Sequence, residues 1–105
     1  VSQPKPAVRA LLDLDRLVHE PARLAILSIL AAAEDVEFRY LEETIGLTKG
    51  NLSSHLSKLE VGAYVTVKKS YRGKIPTTSL RITVQGRRAL DSYRRRLFNG
   101  LNRTD

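Results

Sequence analysis

A chain of 105 residues, 42% apolar and 28% charged, has the length and composition of one globular domain with a modest core, and its lack of cysteine excludes a disulfide framework, a thiolate metal site and a cysteine nucleophile together. A reducing cytoplasm fits that absence, and with only His19 and His55 as imidazoles neither a metal nor any other cofactor is expected. The net charge of +7 is uneven: up to Leu47 five basic residues stand against eight acids, whereas from Thr48 onward thirteen basic residues stand against only Glu60, Asp91 and Asp105, so the second half carries the electropositive surface that nucleic-acid binding requires.

The opening VSQPKPAVRA has no apolar signal core and reads over residues 1–8 as a flexible, proline-stiffened arm. Leu11, Leu14, Leu17 and Val18 recur at helical spacing and predict a helix over 11–18. Pro21 suits the first turn of a second helix to about Ala33, which is apolar on most sides (Leu24, Ile26, Leu27, Ile29, Leu30) and is expected to sit centrally. Its apolar run is about half of what a membrane span needs, so no membrane partner is expected. EDVE then reads as a loop, and FRYLEETIG as a short helix with Leu41 and Ile45 on one face and Gly46 as its stop. Thr48 caps the next helix, where Leu52, Leu56 and Leu59 form a stripe and Gly62 marks the end. YVTVKKS and TTSLRIT alternate as strands around a polar YRGKIP segment, which predicts a hairpin over 64–83. Thr83 caps a last helix over 84–101, with Leu90, Tyr93, Leu97 and Leu101 near heptad spacing.

That order of elements is a mainly α architecture with a small β-hairpin wing, a winged helix-turn-helix in one domain over 1–105 with its helix-turn-helix at 39–61. Gly46 permits the turn, Leu47 plugs it, and Leu52 and Leu56 seat the second helix across the first. The strings GLTKGNLSSHLSKLE and SLRITVQGRRAL resemble the MarR-like and ArsR-like winged-helix transcription regulators of bacteria and archaea, and the resemblance runs over nearly the whole chain. It implies a homodimer on double-stranded DNA, with a recognition helix at about Lys49 to Val61 in the major groove and a wing at about Lys68 to Thr77 reaching the backbone or the minor groove. A repressor on an inverted-repeat operator is the expected role. Such regulators commonly have glycine where this chain has Ala63, so a strained or shifted entry to the first hairpin strand is expected. No constellation for a small-molecule effector is visible, and its identity stays open.

Around the recognition helix, the face opposite the leucines carries Gly50, Ser54, Ser57 and Lys58, with Asn51 at its edge. Short side chains let the helix approach the groove floor, Asn51 can pair adenine, and the N–H groups of Lys49 and Gly50 suit a phosphate. In the wing, Lys68, Lys69, Arg72 and Lys74 surround Tyr71; Arg72 beside Gly73 is placed for a narrow minor groove and Tyr71 for a phosphate oxygen. His55 lies close enough to the leucine stripe to be a packing residue, His19 reads as a surface or hinge residue, and Arg94, Arg95 and Arg96 read as a solvated face. Dimerisation is expected through N- and C-terminal helices by Leu11, Leu14 and Leu17 with Leu90, Tyr93, Leu97 and Leu101. Enzyme activity is not expected: there is no nucleophile elbow or phosphate-binding glycine loop, and the adjacent Glu42 and Glu43 diverge on a helix. The alternative is a winged helix used as a protein-protein interaction module without specific DNA binding.

Overall fold

Pro6 opens helix α1 (Pro6–Leu12) at a position where its missing N–H costs nothing. The helix expected over 11–18 is therefore displaced toward the N-terminus, and residues 6–8, expected in the arm, form its first turn. This computed structural model describes residues 3–103, so the arm's Val1 and Ser2 lie outside the described residues. Leu14, Leu17 and Val18 fall in an irregular segment, residues 13–20. Asp15 accounts for the break. Its Oδ1 accepts the backbone N–H groups of Leu17 (2.9 Å) and Val18 (3.4 Å), a local turn that competes with helix while still delivering Leu14 and Val18 to the core.

Helix α2 (Pro21–Ala31) begins on a carboxylate cap: Glu20 accepts the N–H groups of Ala22 at 3.1 Å and Arg23 at 2.8 Å. Its Ile26, Leu27 and Leu30 are fully buried, the central placement expected of it. Part of EDVE, expected as a loop, forms a two-residue strand β1 (Val36–Glu37). Helix α3 (Phe38–Ile45) stops at Gly46 in a left-handed conformation, φ 79°, and α4 (Lys49–Val61) starts from Thr48, whose Oγ1 accepts the Asn51 N–H at 3.2 Å.

The wing strands β2 (Val65–Arg72) and β3 (Ile75–Ile82) run further than expected, so YRGKIP is mostly strand and the loop shrinks to Gly73 and Lys74. Gly73 has φ 65° and Lys74 does not share it, the sign pattern of a type II′ turn that matches the strand twist. The antiparallel sheet has the order β1-β3-β2, with Val36 opposite Leu80, Val65 opposite Ile82 and Arg72 opposite Ile75. Helix α5 (Val84–Asn102) closes the described chain, capped by Thr83 Oγ1 on the Gly86 N–H at 2.9 Å. A Cβ on Gly86 would lie 2.3 Å from the Tyr64 carbonyl oxygen, so glycine there lets α5 pack against the entry to β2. One core gathers Leu14 and Val18, the α2 residues, Leu41, the α4 leucines, Val65, Leu80, Ile82, Leu90 and Tyr93.

The link from α4 to β2 carries the strain expected from sequence. The N–H groups of Ala63 and Tyr64 return to the carbonyls of Glu60 and Leu59, both at 2.9 Å, which is a Schellman ending whose left-handed position is Ala63, φ 64°. Gly62 beside it has an ordinary φ of −77°, and a Cβ there would lie 2.4 Å from Leu17 Cδ2, the end of a side chain that would have to turn aside. Ala63→Gly is expected to stabilise the fold by about 0.5–1 kcal/mol, relieving the left-handed cost in excess of the added chain entropy, and to raise Tm by about 2–8 °C. Gly62→Ala is expected to cost about 1 kcal/mol or under, because only the end of the Leu17 side chain must turn aside. Thermal melts of the two variants check both signs, and a destabilised Ala63→Gly contradicts the account.

Candidate nucleic-acid interface

Helix α4 is held from behind by its leucines and from one side by polar groups. Leu52, Leu56 and Leu59 are buried, and half-buried His55 turns toward the start of α2, with Nδ1 3.2 Å from Arg23 Nη1 and 3.5 Å from Glu20 Oε2. His55 is half-buried as expected, but its ring meets polar groups at the start of α2 and not the preceding helix, against which it was expected to pack. Arg23 is the joint of this region: its Nε donates to the Leu17 carbonyl at 2.7 Å, so one guanidinium ties the 13–20 segment, α2 and α4 together. Burial pushes the Glu20 carboxyl up, but the N–H groups of Arg23 and Ala22 and the nearby charges of His55 and Arg23 outweigh it, and the net shift is down. The 13–20 segment is also fastened by Tyr64, whose hydroxyl donates to Asp15 Oδ2; burial, with that bond, pushes the phenol up to about 12. His19, which shows no partner in the sequence, shares a 2.8 Å hydrogen bond with the Tyr93 hydroxyl.

With its back fixed, α4 presents Lys49, Gly50, Asn51, Ser54, Ser57 and Lys58 to solvent, all exposed. Thr48 takes only the Asn51 N–H, so the Lys49 and Gly50 N–H groups sit at the open N-terminus of the helix. Ser53 is exposed as well and faces the wing, a position that sequence reasoning missed because only the hairpin's placement singles it out.

Strand alternation divides the wing cations. Lys69 and Tyr71 share a face with Val67, Leu80 and Thr78, and Lys69 with Lys49, Ser53 and Ser57 borders a cleft of about 390 Å³ between α4 and the wing. Lys68 and Arg72 lie on the opposite face with Thr66 and Ser70, while Lys74 is in the turn. There Arg72 binds the Glu37 carboxylate, and Arg81 binds Asp35 through Nε at 3.2 Å and Nη2 at 2.9 Å. The Arg81 hydrogen bonds hold the Asp35 carboxyl below its ordinary value and raise Arg81 in turn. The five wing residues expected to meet DNA thus belong to two faces and a tip.

The expected dimer residues need correction. Leu14, Leu90 and Tyr93 are 8%, 1% and 4% exposed and belong to the chain's own core, because the irregular 13–20 segment folds over the middle of α5. Leu11, Leu17 and Leu97 are half-buried around that core, and Leu101 is exposed. Sequence reasoning passed over Leu12 on α1 and Phe98 on α5, which lie open like Leu101, one turn beyond Phe98. Where α1 crosses α5, Gly100 makes the approach possible: a Cβ there would meet Leu11 Cδ2 at 2.5 Å. Of the arginine run, Arg94 pairs with Asp91 and Arg96 reaches the Asp13 carbonyl.

Among the described residues no cluster of histidine and carboxylate side chains is arranged for a metal ion, and no helix is long and apolar enough to cross a membrane. A short helix, a tight turn, a second helix with a polar outer face and a basic hairpin beside it match the profile of winged helix DNA-binding domains, over residues 22–100. The chain belongs to the winged helix DNA-binding domain family. An uncharacterized protein of Methanocaldococcus jannaschii is 40% identical over 79 residues, spanning 74% of this chain and 85% of that protein. A solved transcriptional regulator homologue from Pyrococcus horikoshii OT3 superposes with a TM-score of 0.85 at 24% identity, over 96% of this chain and 99% of the other. A MarR-family protein from Porphyromonas gingivalis W83 does so with a TM-score of 0.65 at 16% identity, over 98% and 97%. This winged helix is thus of the fold shared by MarR-type and ArsR-type regulators.

Proposed function

We propose that this winged helix binds double-stranded DNA sequence-specifically as a two-fold homodimer and represses transcription in the cytoplasm from an inverted-repeat operator, α4 lying in the major groove and the wing on the flanking backbone or minor groove. The observation that carries the reading is the face of α4 itself. Gly50, Asn51, Ser54 and Ser57 are exposed and short, Lys58 lies on the same face, Lys49 stands at the helix start and Lys69 across the cleft. The first two turns of α4 thus carry no bulky apolar side chain outward and are bordered by cations, while Val61, 86% exposed, ends that face. Such a surface admits close approach to base edges and supplies phosphate contacts on both sides. The deep, narrow major groove of A-form RNA excludes it, which favours B-DNA.

The dimer reading rests on shape and on exposed apolar residues. The radius of gyration is 16.2 Å, against about 13 Å for a compact domain of this size, and the long dimension is 62 Å. Leu12, Phe98 and Leu101 stay open on the terminal helices, as a self-complementary patch requires.

A pool of random duplexes selected on the chain yields the sequence against which variants are tested. Asn51→Ala and Ser54→Ala are expected to change base preference at defined positions, by about 1–3 kcal/mol for a lost base contact, whereas Lys69→Ala weakens all duplexes alike. Wild-type affinity and preference in all three variants would remove α4 and the cleft from the interface.

A further inference from the structure

We infer that Glu37 limits the grip of the wing on DNA by competing with the duplex for Arg72, and so sets part of the margin between operator and unrelated DNA; this rests on the DNA-binding reading above. The cations of the wing are not equivalent. Lys68, Lys69 and Lys74 engage no ion pair among the described residues, whereas Arg72 and Arg81 each hold a carboxylate from the β1 region. Arg81 and Asp35 form a two-bond fork beside the β1–β3 pairing, a clamp within the sheet. The other pair spans further. Glu37 stands opposite Ser79, whose partner on β2 is Lys68, yet its carboxylate is taken by Arg72, four residues along at the end of the hairpin. Glu37 is also the N-cap residue of α3 and makes no side-chain cap hydrogen bond, so its carboxylate serves Arg72 instead of the helix start.

Two consequences follow from exposure and charge. The side chains are 76% exposed for Arg72 and 39% for Glu37, so solvent screens the pair and a well-placed phosphate or minor groove displaces the carboxylate. Until that happens, Arg72 is neutralised, and a duplex that meets the protein without seating the wing gains nothing from it.

The full chain carrying Glu37→Gln, Arg72→Gln or both is titrated with the selected duplex and with an unrelated duplex of equal length at one salt concentration. Glu37→Gln is expected to tighten both, about two- to fivefold per half-site and more for the unrelated duplex, so the ratio between them falls. Arg72→Gln weakens binding, and in its background Glu37→Gln has no effect. Glu37→Asp keeps the charge but withdraws the carboxylate by one methylene, and falls between wild type and Glu37→Gln. Unchanged affinity in Glu37→Gln, a gain that persists without Arg72, or Glu37→Asp equal to wild type overturns the inference and leaves the DNA-binding reading standing. A wild-type chain that binds neither duplex takes down that reading and the inference with it.

Discussion

DNA affinity is expected to fall by roughly 10³ to 10⁵ between about 50 and 200 mM salt, the response of a dimer that neutralises about six to ten phosphates. The estimate rests on which cations are free. Lys49, Lys58, Lys68, Lys69 and Lys74 are exposed, lie on α4 or the wing, and enter no ion pair among the described residues. Two protomers therefore present about ten uncommitted lysines, before any contribution from Arg72. Part of the remaining basic charge is committed elsewhere: Arg23 ties α2 to α4, Arg39 pairs with Glu43, Arg81 with Asp35 and Arg94 with Asp91. The +10 excess of the second half overstates the binding charge because Arg72 and Arg81 hold carboxylates of the first half, Glu37 and Asp35. A polarisation titration over this salt range checks the slope, and a flat response favours the protein-interaction alternative.

Charging the open apolar patch is expected to separate folding from assembly. Phe98→Glu with Leu101→Glu places carboxylates on side chains that are 68% and 63% exposed, so the protomer keeps its core and helix content while two copies meet with like charge. Specific affinity is then expected to drop by about 10² to 10⁴, the gain that a linked second half-site normally contributes. Leu90→Ala is the contrast. Leu90 is 1% exposed, and its truncation is expected to cost about 2–5 kcal/mol of stability in the protomer itself. Sedimentation reports the mass and circular dichroism the fold; a double-glutamate variant that remains a dimer with full affinity removes this patch from the interface.

The sequence showed most plainly the elements in which local chemistry and tertiary packing agree. Thr48 and Thr83 cap the helices they were expected to cap, Gly46 takes the left-handed φ its helix end requires, and the leucine stripe of α4 is its buried face. The readings that failed involve spacing without conformation. Leu11, Leu14, Leu17 and Val18 have helical spacing, yet a turn held by Asp15 buries Leu14 and Val18 without a helix. The near-heptad Leu90, Tyr93, Leu97 and Leu101 likewise spans a transition from core to open surface, because the 13–20 segment covers only the middle of α5. Two-residue β1 and the clasp of Arg72 by Glu37 depend on partners more than thirty residues away, which no local pattern encodes. In the wing, Lys68 and Lys69 are neighbours in sequence but belong to opposite faces once the strand extends through YRGKIP.

The most direct measurement of the central claim is a hydroxyl-radical footprint of the wild-type chain on its selected duplex, with methylation interference to report the grooves. Two major-groove patches centred one helical turn apart, roughly 34–36 Å, on one side of the duplex and related by two-fold symmetry, with protection of the flanking backbone where the wings lie, is the predicted result. A single unsymmetrical patch, or uniform backbone protection with no major-groove interference, would contradict it.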